Sequence, residues 1–100
     1  MKQPKIVQRI SQEQRIVLME SDSNYTILYL SDGKKLISGY SLKFYENISD
    51  NQSFMRPNRS IMIHRTFVEF INFNKSELTL NNGRKISISR RRLKAFQSWI

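Results

Sequence analysis

The sequence predicts a mostly β fold of roughly six to ten short strands with one or two short helices. Two hairpin signals carry the strand prediction, since Asp32-Gly33 and Asn82-Gly83 each separate two runs rich in aliphatic, β-branched or aromatic residues. Such pairs favour tight turns because they accept the positive φ that a type I′ hairpin requires. The helix prediction comes from the C-terminus, where Leu93, Phe96 and Ile100 recur at intervals of three and four residues.

Strand-like runs occupy much of the chain around these signals. In order they are Ile16–Met19, Tyr25–Leu30, Lys34–Ser38, Phe54–Arg56, Val68–Phe73, Leu78–Leu80 and Arg84–Ile88. Pro57 has no backbone N–H to donate, so we expect it to end its strand. Two helices complete the pattern: a short one over Leu42–Ile48 with Ser41 as N-cap, and a C-terminal one that follows Ser89.

The length of 100 residues predicts a single domain. We expect residues 15–100 to form it, and residues 1–14 to be either a polar lead-in or an edge strand over Ile6–Ile10.

Cysteine is absent and His64 is the one histidine. This argues against disulfides, thiol nucleophiles and histidine-built metal sites, so no metal or other cofactor is expected. No apolar run approaches the about 18 residues of a membrane span and no signal peptide opens the chain, so we expect a cytoplasmic protein.

Basic side chains are concentrated in the second half of the chain. Lys and Arg number 17 against 8 Asp and Glu, a formal net charge of +9. Residues 1–50 carry seven basic and six acidic side chains, whereas residues 51–100 carry ten basic and two acidic ones, and seven of those ten are arginine. Because like charges repel, such a chain is expected to meet a polyanion, and the planar arginine fork suits phosphates and guanine edges. The alternative is a basic protein whose charge serves solubility alone.

The sequence contains no recognisable catalytic motif. No Gly-x-Ser-x-Gly elbow is present to accompany His64, and of the three glycines two lie in the hairpin turns, so no glycine-rich phosphate loop is formed. The acids Glu69 and Glu77 are isolated in the basic half. We therefore expect a protein that is not an enzyme.

Arg90, Arg91 and Arg92 stand where the C-terminal helix is expected to begin. A helix N-terminus carries roughly half a positive charge, so cations there are unfavourable and acids are the usual choice. A departure from a local rule of this kind is typical of a functional site, and free N–H groups together with guanidinium forks favour phosphate. Successive helical residues point about 100° apart, so the three side chains are expected to divide among base edge, phosphate and an acidic partner. A solvated charge cluster is the alternative.

Three further segments present polar or aromatic side chains. Asn24 and Tyr25 open a strand after a polar loop, although Tyr25 could equally pack on the sheet as an edge aromatic. Arg56, Asn58 and Arg59 share one irregular segment, in which the following proline restricts Arg56 to an extended backbone. His64 comes next, and a lone histidine is more often a local hydrogen-bonding residue than a ligand.

In this order, these residues resemble the LytTR DNA-binding domain, the output module of many bacterial response regulators. The resemblance covers residues 15–96. Its marks are Met19-Glu20, Asn24-Tyr25-Thr26, Leu30-x-Asp32-Gly33, Ser41-Leu42, Phe54-x-Arg56-x-x-Arg59-Ser60-x-x-x-His64 and Leu80-x-Asn82-Gly83-x-x-Ile86-x-Ile88-Ser89-Arg90-Arg91. One position departs from the family, since His64 stands where an asparagine is usual.

The resemblance implies an elongated β–β–β sandwich of about ten short strands with one or two short helices. It also implies binding to direct repeats in promoter DNA by loops that enter two successive major grooves on one face. By position, Asn24 and Tyr25 would enter the first major groove, Arg59 would face the backbone near the minor groove, and Arg91 would read the second major groove.

We therefore expect a sequence-specific transcription regulator that binds double-stranded DNA. The candidate DNA-binding residues are Asn24, Tyr25, Arg56, Asn58, Arg59, His64, Arg90, Arg91 and Arg92. Candidates for phosphate contact, of which a subset can face one duplex, are Arg59, Arg90, Arg92, Lys34, Lys35, Arg84 and Lys85. A receiver domain or sensor-kinase pathway and a dimer on DNA are further candidate partners, and no membrane partner is expected.

Two other functions stay open at this point. In the first, the chain binds single-stranded nucleic acid or RNA, with Tyr25, Tyr29, Tyr40 and Phe73 stacking on bases. In the second, it is a protein-interaction module with an incidentally basic face. Competition between duplex DNA, single-stranded DNA and RNA separates the first of these from duplex binding.

Overall fold

Eight β-strands in two antiparallel sheets form the framework of the computed structural model, which describes residues 5–8, 15–50 and 52–99. The strands are β1 (Ile16–Asp22), β2 (Tyr25–Leu30), β3 (Lys35–Ser38), β4 (Phe54–Asn58), β5 (Ile61–His64), β6 (Val68–Asn72), β7 (Glu77–Leu80) and β8 (Lys85–Ser87). The helices are α1 (Lys5–Gln8), α2 (Leu42–Ile48) and α3 (Arg90–Trp99), and Arg65–Phe67 forms a 3₁₀ turn. The predicted fold class, mostly β and elongated, is confirmed, since the molecule measures 39 × 24 × 24 Å.

The two sheets differ in size. The large sheet has the strand order β3-β2-β1-β5-β4, and the small sheet has the order β6-β7-β8. The resemblance implied three layers of sheet and about ten strands, whereas the residues described here form two sheets and eight strands. A helix takes the place of a third sheet, because α2 covers the face of the large sheet that is turned away from the small one.

Both predicted glycine hairpins form, but their turns are not of type I′. Gly33 and Gly83 have φ of 90° and 91°, whereas Asp32 and Asn82 do not have positive φ, so each glycine closes a three-residue loop instead. Each turn is closed by matching backbone bonds, from the Leu30 amide to the Lys34 carbonyl and from the Leu80 amide to the Arg84 carbonyl, both 2.9 Å. The two turns lie at the same end of the strands, where they line one small cavity.

The large sheet is buried on both faces at its central strands β1 and β5, which explains the continuous apolar runs of those strands. Towards the small sheet and α3, it packs the first core: Val17, Leu18, Ile61, Ile63, Leu78, Leu80, Ile86, Ile88 and Phe96. Towards α2, it packs the second core: Met19, Leu28, Leu42, Tyr45 and Met62. Neighbouring residues of β5 alternate between the two cores, as the period of two in a strand requires.

Three elements differ from the sequence prediction. The strand β4 continues through Pro57 to Asn58, because β4 is the edge of the large sheet and its register shifts between Met55 and Asn58, so the missing N–H breaks no ladder bond. The strand β5 was not predicted, because its apolar run, Ile61–Ile63, has three residues, one fewer than the run predicted as a strand at Ile16–Met19. Lys5–Gln8 is one helical turn, not the edge strand considered for Ile6–Ile10, and the rest of residues 1–14 lies outside the described residues.

Phe96 is the residue by which α3 is anchored, and its side chain is fully buried in the first core. We expect Phe96→Ala to lower the free energy of unfolding by about 3–5 kcal/mol, because it removes a large apolar group and leaves a cavity. Urea unfolding followed by circular dichroism measures this. Gln97→Ala, one residue along on the exposed face, serves as the control. Equal midpoints for the two variants would contradict the docking of α3 through Phe96.

Candidate nucleic-acid interface

The turn between β1 and β2 presents Asn24 and Tyr25. Asp22 pairs directly with Tyr25, so Ser23 and Asn24 alone form the loop. Ser23 has a φ of 55°, in the left-handed region that a tight hairpin turn requires. Asn24 is exposed and Tyr25 is 55% exposed, although it lies at the start of a strand. Both side chains are therefore accessible at one end of the large sheet.

The turn between β4 and β5 presents Arg59 and is held from both sides by Asn58. The Asn58 Oδ1 accepts a hydrogen bond from the Ser60 amide at 2.9 Å, and its Nδ2 donates to the Ser87 carbonyl at 2.9 Å. The guanidinium of Arg56 donates to the Arg59 carbonyl. Arg59 itself is exposed. The hydrogen bonds of Asn58 and Arg56 thus fix the conformation of this turn, and the Arg59 side chain is exposed to solvent.

The first turn of α3 presents Arg90 and Arg91. Ser89 has the predicted N-cap position, since its carbonyl accepts hydrogen bonds from the Arg92 and Leu93 amides. Arg90 and Arg91 are exposed, while Arg92 is half-buried, as the 100° rotation between helical residues predicts. Among the described residues, neither Arg90 nor Arg91 is in an ion pair.

Arg56 and Arg92 are turned towards an acid instead of solvent. The Arg56 Nη1 lies 3.1 Å from Glu46 Oε1, and the Arg92 Nη1 lies 3.8 Å from Glu46 Oε2. The Arg56 side chain is only 13% exposed. The Arg92 Nη1 also donates to the Arg56 carbonyl at 3.2 Å. This geometry does not support a direct DNA contact by Arg56, and it ties Arg92 to α2 and β4.

Backbone hydrogen bonds bring the three turns to the same end of the molecule. The Ser21 amide, at the end of β1, donates to the Ser60 carbonyl at 2.8 Å. The Ser89 amide, just before α3, donates to the Pro57 carbonyl at 2.8 Å. A shallow groove runs between Asn58–Ile61 and Ser87–Ser89. We call the exposed residues of these turns the three-turn surface: Ser23, Asn24, Tyr25, Arg59, Ser60, Arg90 and Arg91.

Lys75, which was not among the candidate DNA-binding residues, lies close to this surface. Lys75 is exposed in the turn between β6 and β7. The next residue, Ser76, accepts a hydrogen bond from the Ile88 amide at 2.7 Å through its carbonyl, which places the turn beside the start of α3. The Asn-Lys-Ser sequence predicts a turn at this position. The residues near it do not predict that the turn packs against α3.

The remaining basic candidates lie at the opposite end of the strands, around the two glycine turns. Lys35 Nζ and Arg84 Cζ lie 5.2 and 5.5 Å from the centre of the Tyr29 ring. Arg84 Nη2 lies 3.3 Å from Glu20 Oε2, whose other oxygen accepts from the Tyr29 hydroxyl at 3.0 Å. Burial, followed by this hydrogen bond to Glu20, raises the pKa of Tyr29. These cations, with Lys34 and Lys85, are separate from the three-turn surface.

His64 also lies away from the three-turn surface. It ends β5, about 10 Å along the strand from Ile61 at the usual rise per residue. Its Nδ1 accepts a hydrogen bond from the Thr66 amide at 3.1 Å, which caps the 3₁₀ turn, and its ring packs edge-on against Phe54 and Phe67. The local hydrogen-bonding role therefore describes His64 better than a DNA contact does.

Among the described residues, no group of three or more His, Asp or Glu side chains is placed to hold a metal ion. None of the helices in this part of the chain is long and apolar enough to cross a membrane.

Comparison with known proteins finds a family and a similar solved structure. The family model of the LytTR DNA-binding domain matches residues 9–100. A solved structure, the LytTR DNA-binding domain of a methyl-accepting/DNA response regulator from Bacillus cereus, superposes with a TM-score of 0.74. It is 21% identical, and the match covers 84% of this chain and 79% of that one, which shows the shared fold. No curated protein sequence matches this chain.

His64 makes the folded state sensitive to mild acid. Burial, and then the nearby Arg15 charge, lower the pKa of His64 below its ordinary value of 6.5. The unfolded chain therefore binds a proton first as the pH falls, so we expect the free energy of unfolding to be constant above about pH 6.5 and to decrease below it, down to the folded-state pKa. Urea unfolding at several pH values between 5 and 7.5 measures this.

The matched control is His64→Asn. An asparagine oxygen can accept from the amide two residues on and does not titrate. We expect this variant to keep the 3₁₀ turn and to lose the pH dependence that His64 produces below about pH 6.5. The same slope in both proteins would assign the pH dependence to another group.

Proposed function

The chain belongs to the LytTR family of DNA-binding domains, and we propose that it regulates transcription by binding specific double-stranded DNA sites with the three-turn surface. The observation that carries this proposal is the convergence of three separate segments at one end of the molecule. Each segment brings exposed side chains that suit DNA: Asn24 and Tyr25 from the first, Arg59 from the second, and Arg90 with Arg91 from the third. The function is binding and not catalysis.

The proposed contacts are of two kinds: some side chains contact base edges and read the sequence, and others bind phosphates and position the protein on the DNA. Arg91 is the candidate for bidentate contact with the O6 and N7 atoms of a guanine in a major groove. Asn24 and Tyr25 would enter the neighbouring major groove, where an amide pairs with adenine and an aromatic edge contacts a thymine methyl group. Arg59 and Arg90 would hold phosphates, as charge-assisted contacts that fix register without reading sequence.

The sites are proposed to be direct repeats in promoters. One chain presents one three-turn surface, so two chains would occupy two repeats side by side. A receiver domain or a sensor-kinase pathway is the proposed source of the regulatory signal, as in response regulators. The place of action is wherever promoter DNA is accessible, which in a bacterial cell is the cytoplasm.

The geometry favours duplex DNA over single-stranded nucleic acid. A stacking platform needs aromatic faces that are free. Tyr40 instead stacks on Phe44 at 4.3 Å, Tyr29 lies beneath Lys35 and Arg84, and Phe73 packs against the first core. Of the four aromatic residues considered for stacking, Tyr25 alone is at the three-turn surface.

Selection from random duplex DNA is the experiment that tests the proposed function. We expect the enriched sequences to contain two short motifs separated by about one helical turn, because two grooves on one face are read. Competition at fixed salt should then rank duplex DNA above single-stranded DNA and RNA of the same sequence. No enrichment, or preferred binding of single strands, would overturn the proposal.

Arg91 is expected to carry much of the discrimination between sequences. We expect Arg91→Ala to reduce the ratio of affinities for selected and scrambled duplexes by about 5- to 150-fold, which corresponds to the 1–3 kcal/mol of one bidentate base contact. Fluorescence anisotropy with both duplexes measures the ratio. Lys34→Ala removes the same charge at the opposite end of the strands and should leave the ratio unchanged. An unchanged ratio in the Arg91 variant would remove its assigned role.

Arg59 is expected to act on phosphate, with no preference for sequence. We expect Arg59→Ala to weaken selected and scrambled duplexes by similar factors and to make the slope of log K against log salt shallower by about one unit. Titrations between 50 and 300 mM salt measure the slope, with Lys34→Ala again as the matched control. A loss confined to the selected duplex would instead indicate that Arg59 reads a base.

A further inference from the structure

Glu46 is an acid that binds two arginines without lying on the three-turn surface. It belongs to α2, which packs on the far face of the large sheet. Its two carboxylate oxygens are divided between two partners, with Oε1 3.1 Å from Arg56 and Oε2 3.8 Å from Arg92. One carboxylate therefore joins α2 to both β4 and α3.

Each of these arginines also holds a part of the three-turn surface. The Arg56 Nη2 donates to the carbonyl of Arg59, which fixes the backbone of the β4–β5 turn. Arg92 follows Arg91 directly in the first turn of α3, and its Nη1 donates to the Arg56 carbonyl at 3.2 Å. The network thus has two branches that start at Glu46, one ending at Arg59 and the other at the residue beside Arg91.

We propose that Glu46 is a positioning residue that fixes the placement of Arg59 relative to Arg91, and that it thereby sets how well the protein distinguishes DNA sequences. This inference rests on the proposed function. It assigns specificity to an acid that makes no DNA contact and whose charge opposes DNA binding.

Electrostatics explain why this position needs an acid. Arg56 and Arg92 bring two positive charges together, and Arg56 is only 13% exposed, so its charge is largely removed from water. Arg92 also stands in the first helical turn, where the helix dipole disfavours a cation. Glu46 offsets all three effects, and without it we expect Arg92 to turn towards solvent and the first turn of α3 to change its position.

Neutralising Glu46 distinguishes two explanations, because they predict opposite changes in the affinity for the selected duplex. Glu46→Gln keeps the size of the side chain and removes one negative charge from a protein that already carries +9. Simple electrostatics predicts tighter binding to every duplex. A positioning role for Glu46 predicts weaker binding to the selected duplex, while the scrambled duplex binds equally well or more tightly. We expect the ratio of the two affinities to fall by roughly fivefold or more, the lower end of the effect of one base contact.

The control is Glu69→Gln. Glu69 is exposed on β6, and none of the ion pairs among the described residues includes it. This variant makes the same charge change, so its ratio should equal that of the wild type. A purely structural role for Glu46 would lower both affinities together, in proportion to the folded fraction measured by circular dichroism.

The outcomes separate the inference from the function on which it rests. If the wild type selects no sequence, the proposed function fails. If the wild type discriminates and Glu46→Gln discriminates equally well, the inference is overturned. Should Glu46→Gln prove unfolded, Arg92→Lys decides, because it retains the charge on a half-exposed helical side chain but ends one bond short of Nη1, the atom that contacts both Glu46 and the Arg56 carbonyl. A reduced ratio in that variant supports the inference, and a wild-type ratio overturns it.

Discussion

The hydrogen bond from the Ser89 amide to the Pro57 carbonyl is the contact on which the rest of the site depends. It joins the start of α3 to the edge of the large sheet, and the Asn58 side chain adds a second bond to the Ser87 carbonyl. Pro57 suits this position because an edge strand with an irregular register can accept a residue that lacks an N–H. Through these bonds, residues more than 30 positions apart in the sequence are presented on one surface.

Packing on both sides of the central strands supports that surface. The small sheet and α3 cover one face of these strands, and α2 covers the other. The turns that protrude from the large sheet are short, with two residues between β1 and β2 and two between β4 and β5. Short turns have few conformations to lose, which limits the entropy cost of binding.

The sequence predicted those elements whose structure depends on residues close to one another in the chain. The turns at Gly33 and Gly83, the Ser41 cap of α2 with its 3.1 Å bond to the Phe44 amide, and the burial of Phe96 all follow from residues within a few positions of one another. That one of Arg90, Arg91 and Arg92 pairs with an acid was predicted in kind, while the base-edge and phosphate roles of the other two stay predictions. Which one does so could not be predicted, because the acid is Glu46, 46 residues away. The same limit applies to Arg56 and His64, whose partners are brought to them by tertiary packing.

The position of α3 explains why its first turn, and not the whole helix, is suited to DNA. Leu93 and Phe96 face the first core, so the body of the helix lies along the protein. The part that extends beside Arg59 is the N-terminal turn, where free amides and the dipole favour phosphate but three arginines disfavour the helix. Glu46 compensates one of those charges within the protein. The other two, at Arg90 and Arg91, are in no ion pair among the described residues, and under the proposed function a bound duplex would remove the repulsion that the unbound helix start retains.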